Sequence, residues 1–66
     1  MFKVDDKKIR ALMMRRCWTL KDLSNVTHLH DRTCRKLIKG GTANLKVIAT
    51  VAKAFDVSGE ELILKE

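Results

Sequence analysis

The sequence predicts an all-α fold, a compact bundle of five helices, and three observations predict it. Apolar residues recur at i, i+3 and i+4 along nearly the whole chain, and no stretch alternates as a half-buried strand does. Proline is absent, and glycine occurs only at Gly40, Gly41 and Gly59, so little interrupts the helical pattern. The pattern breaks only at short polar or glycine-containing junctions, each followed by a residue able to cap a helix.

The first helix is expected to begin after Asp5 or Asp6, whose carboxylate can accept from free amides and favours the positive helix end. Ile9, Leu12 and Met13 then share a face, and Arg15 and Arg16 suit the helix C-terminus. Trp18 is read as a core anchor just before the second helix. Thr19 caps that helix, Leu20–Thr27, with Asp22 three residues on in place of the usual capping-box glutamate; Leu20 and Leu23 point inward. His28-Leu29 reads as a tight turn.

The third helix, Asp31–Lys39, has the sharpest pattern. At 100° per residue Cys34, Leu37 and Ile38 fall on one side, and Arg32, Arg35, Lys36 and Lys39 on the other. Gly40-Gly41 ends it, with Gly40 free to take a positive φ. Asn44 caps a fourth helix whose buried stripe is Leu45, Ile48, Val51, Ala52 and Phe55, with Lys46, Thr50 and Lys53 facing away. Ser58 and Glu61 form a capping box for a short fifth helix holding Leu62, against which Val57 can staple.

Sixty-six residues make one domain, 1–66, with a small core. Two cysteines are too few for a disulfide framework; Cys17 and Cys34 both fall near apolar helical positions and are expected to be reduced and largely buried. No apolar run approaches the roughly 20 residues that cross a bilayer, and the N-terminus lacks the apolar core of a signal peptide, so a cytoplasmic protein with no membrane partner is expected. The net charge of +6 is unevenly placed: no acidic residue lies between Asp31 and Asp56, where Arg32, Arg35, Lys36, Lys39, Lys46 and Lys53 all fall. Such a block attracts phosphates. A cationic helix held across another helix by a short turn is also the shape that enters a DNA major groove.

Residues 5–64 resemble the phage-repressor type of helix-turn-helix domain, the lambda-repressor-like or Cro-type family. The likeness rests on the helix spacing, on Thr19-Leu20-Lys21-Asp22-Leu23 at the start of the second helix, and on Cys34, Leu37 and Gly40 in and after the third. Ile48, Ala52, Phe55, Val57 and Leu62 match the family's later core. The chain departs from the family's common residues at Cys17, Ser24, His28, Ile38, Lys39 and Ala43. His28 stands where a glycine with positive φ is usual. The resemblance implies a double-stranded DNA partner and a small transcriptional regulator, most simply a repressor occupying an operator. The alternatives are a protein-interaction module on the same fold (an antitoxin or adaptor) and an accessory DNA factor for recombination.

Position then assigns roles. Arg32 and Lys36, one turn apart on the exposed face, are candidates for base edges, because arginine can bond guanine O6 and N7 together and lysine reaches the same acceptors. Asp31 and Thr33 flank them; Asp31 either accepts from a cytosine amino group or only complements the helix N-terminus. Arg35 and Lys39 point toward the groove wall and suit phosphate. So do Thr19 (through backbone amides of the second helix), His30 at the third helix cap, and Lys46.

Cys17, His28, His30 and Cys34 lack the paired spacings of a zinc site, and no nucleophile has a supporting constellation, so no metal, cofactor, small-molecule ligand or enzymatic activity is expected. Leu62, Ile63 and Leu64 cannot all point inward on one helix, and Phe2 and Val4 form a second apolar patch. A weak homodimer through Ile63 or Leu64, assembled in solution or only on DNA, is one expectation; completion of a monomer's core is the other.

Overall fold

The computed structural model describes residues 1–64; residues 65 and 66 lie outside it. In chain order the elements are β1 (Phe2–Lys3), α1 (Asp6–Arg16), α2 (Leu20–Thr27), α3 (Asp31–Ile38), β2 (Thr42–Ala43), α4 (Leu45–Phe55) and a 3₁₀ helix, Gly59–Leu62.

The caps form where side chains can reach the first free amides. Asp5 Oδ1 accepts from the Lys8 N–H at 3.2 Å, and Asn44 Oδ1 from the Val47 N–H at 2.9 Å. Thr19 and Asp22 complete a reciprocal box at the start of α2, as Ser58 and Glu61 do at the 3₁₀ helix. Helix C-termini close by left-handed residues. Cys17, His28 and Asp56 take φ of 57°, 60° and 57°, and Gly40, after α3, takes 83°.

Among the described residues four α-helices stand where five helices were expected. The Ser58–Glu61 box starts a helix, but it lasts one 3₁₀ turn before Ile63 goes extended (φ −106°, ψ 132°). The N-terminal segment captures the chain there: the Asp5 N–H donates to Leu62 O at 2.8 Å and the Leu64 N–H to Lys3 O at 2.9 Å. On its other side the same segment pairs antiparallel with β2, Phe2 opposite Ala43 and Lys3 opposite Thr42. The strands were not expected, because two-residue strands are too short to show alternation.

The structure corrects three further expectations. Val4 is not part of an exposed patch: as the middle of this three-segment arrangement it is fully buried, and only Phe2 stays out, at 41% exposure. Cys17 is exposed, because its backbone takes the left-handed cap of α1 and donates to the last carbonyls of that helix, turning the side chain outward. Leu45 is 66% exposed; as the first residue of α4 it lies on the rim of an open groove rather than under another element.

The core gathers Ile9, Leu12 and Met13 of α1, Leu23 of α2, Cys34 and Leu37 of α3, Ile48, Val51, Ala52 and Phe55 of α4, with Val4, Ala43 and Leu62. Trp18 is half-buried at its edge, its ring 5.1 Å from that of Phe55 and beneath the Arg16 guanidinium at 5.4 Å. Arg16 also donates to Phe55 O at 2.9 Å, closing the end of α4 from α1. Among the described residues no helix is long and apolar enough to cross a membrane.

Gly40 is the position least open to a side chain. Its φ is +83°, and a Cβ there would stand 3.1 Å from Asp6 Oδ1. Gly40→Ala is expected to lower the unfolding free energy by about 1–2 kcal/mol, the cost of a left-handed residue with a Cβ. Urea denaturation of the two proteins checks it.

Candidate nucleic-acid interface

The α2–α3 junction is built from hydroxyl groups. Thr27, the one buried polar residue among those described, donates from Oγ1 to Leu23 O at 2.6 Å and accepts from the Leu29 N–H at 3.3 Å. Ser24 donates from Oγ to Leu29 O at 2.7 Å. With His28 in the left-handed region, these bonds reverse the chain between α2 and α3 and leave no buried side-chain polar atom of the described residues without a partner.

At the start of α3, His30 Nδ1 accepts from the Arg32 N–H at 3.2 Å. An accepting Nδ1 puts the proton of a neutral ring on Nε2, where it can be donated outward. Asp31, in the first turn, favours the helix dipole. At the other end the Gly41 N–H donates to Lys36 O at 2.8 Å, and Arg10 Nη1 donates to Ile38 O at 2.6 Å. The helix stops at Ile38, so Lys39 is its cap rather than its last residue.

Between these ends Cys34 and Leu37 are buried and Ile38 half-buried, while Asp31, Arg32, Arg35, Lys36 and Lys39 are exposed. Thr33 is half-buried at the boundary. The ion pairs Lys8–Glu61 and Arg10–Asp6 involve no cation of α3, and none of those cations is in an ion pair among the described residues. Lys46 is exposed on the first turn of α4. Thr19 is exposed too, but its N–H and hydroxyl both go to the Asp22 carboxylate, at 2.9 and 3.0 Å. By helix geometry the N–H groups of Leu20 and Lys21 are then the open amides of that end.

Burial pushes the Cys34 thiol above its ordinary pKa, which makes it a packing group and a poor nucleophile. No three of His, Cys, Asp and Glu come together as a metal-ligand set among the described residues. Ile63 and Leu64, expected to project from a helix, lie instead on extended chain: Ile63 bridges to Val4 and is half-buried, and Leu64 is 39% exposed.

Two residues that shape the site were given no bonding role in the sequence reading. Ser24 was legible only as a small residue, although a hydroxyl five residues before a turn carbonyl is a detectable signal. Arg10 acts across 28 residues, and no local pattern announces that contact.

The profile of the Cro/C1-type helix-turn-helix DNA-binding domain matches residues 8–64. No curated protein and no solved structure matches the chain.

Ser24→Ala is expected to cost about 1 kcal/mol, the net worth of one partly buried hydrogen bond, and to raise hydrogen exchange at the turn amides more than in α4. The Asp22 carboxyl is held below its ordinary pKa, first by the Thr19 N–H and then by the Thr19 hydroxyl. A depressed carboxyl stabilises the fold above its unfolded pKa, and that contribution is lost as pH falls through the folded pKa. Titrating stability downward through the carboxylate range should therefore show a smaller fall for Asp22→Asn than for the parent chain.

Proposed function

This chain belongs to the Cro/C1-type helix-turn-helix DNA-binding family, and we propose that it is a small transcriptional regulator, a repressor that occupies an operator with α3 in the major groove. One observation carries this reading: α3 seats its apolar side in the core and presents Arg32, Arg35, Lys36 and Lys39 outward, none of them held in an ion pair among the described residues. Arg32 and Lys36, a turn apart, read base edges; Arg35, Lys39, Lys46 and His30 bind phosphate, with the open amides behind Thr19. Asp31 and Thr33 border the read positions. The chain acts by binding alone, without catalysis.

A domain this small neutralises few phosphates and reads few base pairs, so two half-sites raise its specificity. Two copies meet weakly through Ile63 or Leu64, in solution or only on DNA. Ile63 lines an open apolar groove with Leu45, Ile48, Ala49, Ala52 and Val57, and its own side chain is half-buried before any partner arrives.

Selection of bound duplexes from a random pool at physiological salt is expected to return a palindromic motif. Affinity for it should fall with salt by about 0.9 log unit per log unit of salt for each phosphate neutralised. Arg32→Ala or Lys36→Ala is expected to relax preference at one base position by roughly 1–3 kcal/mol. Arg35→Ala or Lys39→Ala should weaken all sequences alike and reduce the salt slope by about 1. A pool that yields no motif, with binding insensitive to salt, overturns the reading.

A further inference from the structure

The end of α3 is held by the start of α1. Ile38 is the last residue of α3, so its carbonyl has no N–H from a following helical turn. Arg10 supplies one. A single guanidinium nitrogen, Nη1, has two N–H groups; one goes to Ile38 O at 2.6 Å and the other to the carboxylate of Asp6, one turn earlier on α1. Asp6 in turn stands against Gly40, within 3.1 Å of where a Cβ would be. Asp6, Arg10, Ile38 and Gly40 thus close on one another from two elements. The Arg10 bond holds the Asp6 carboxyl below its ordinary pKa.

The opposite end of α3 is fixed by Ser24 and Thr27 on Leu29. With Cys34 and Leu37 seated in the core, these two ties leave an eight-residue helix little freedom of tilt or rotation. We infer that Arg10 is a positioning residue for base reading: it fixes the angle at which α3 presents Arg32 and Lys36, and it touches no DNA itself. Its charge is already matched by Asp6, which leaves it little to offer a phosphate. This rests on the DNA reading above.

The test compares the parent chain with Arg10→Met, which keeps the stem and loses both donors. Three quantities are measured: the affinity ratio between a duplex selected by the parent chain and a scrambled duplex, the salt slope, and the amide resonances of Lys39, Gly40 and Gly41. The ratio should fall about tenfold, within the worth of one mismatched base pair, with the salt slope unchanged. The three amide resonances should move before any DNA is added.

Arg10→Lys, with charge but no planar fork, should recover part of the ratio. Asp6→Asn should shift it the same way by less. If Arg10→Met does not fold, these two variants decide. An unchanged ratio in folded variants makes Arg10 only a stabilising contact and overturns the inference. A salt slope lowered by about 1 makes it a phosphate ligand and also overturns it. A parent chain that prefers no sequence overturns the DNA reading instead.

Discussion

α3 has eight residues, too few to hold a helical conformation in water without support. Its shape and direction are therefore imposed by what it touches. The apolar strip of Cys34 and Leu37 is seated among the core residues of α1, α2 and α4, and each end of the helix is closed by groups from elsewhere in the chain. The hydroxyl groups of α2 govern its entry, and Arg10 with Gly40-Gly41 governs its exit. A cationic helix of this length keeps a fixed outward face only because its neighbours hold it.

The same economy explains where the charge lies. Asp5, Asp6, Asp22, Asp31, Glu60 and Glu61 all sit at helix caps or in first turns, where a carboxylate accepts free amides or complements the helix dipole. None of these carboxylates forms an ion pair with a cation of α3 among the described residues. The surplus of +6 is thus concentrated by the capping chemistry as much as by the number of lysines and arginines. α1 does the complementary work at C-termini: Arg10 closes α3 and Arg16 closes α4 through their last carbonyls.

Features that act over three or four residues were legible in the sequence. The Thr19–Asp22 and Ser58–Glu61 boxes, the Asn44 cap, the positive φ of Gly40 and the two faces of α3 follow from spacing alone, and the structure has them. Features that depend on distant chain were not. The pairing of residues 2–5 with both the α3–α4 connection and residues 62–64 joins the two termini, and it is this pairing that shortens the fifth helix and buries Val4. Cys17 illustrates a different limit. Periodicity places it near the apolar face, but a left-handed backbone at a helix end redirects the side chain, and periodicity holds only within the helix. Leu45 failed for the related reason that a helix's first turn extends past the element it packs on.

Within α3 the positions that secure the fold and those that face outward hardly overlap. Cys34 and Leu37 are buried, the Ile38 carbonyl is tied to α1, and Arg32, Arg35, Lys36 and Lys39 are exposed, with no ion pair among the described residues. Substitutions at such exposed positions ordinarily change stability by no more than about 0.5 kcal/mol. DNA preference can then vary while the scaffold stays fixed. Two positions fall between the sets. Asp31 favours the dipole of the helix whose reading face it borders, and Thr33 is half-buried at the edge of that face. A change at either alters helix stability and the exposed surface of α3 together.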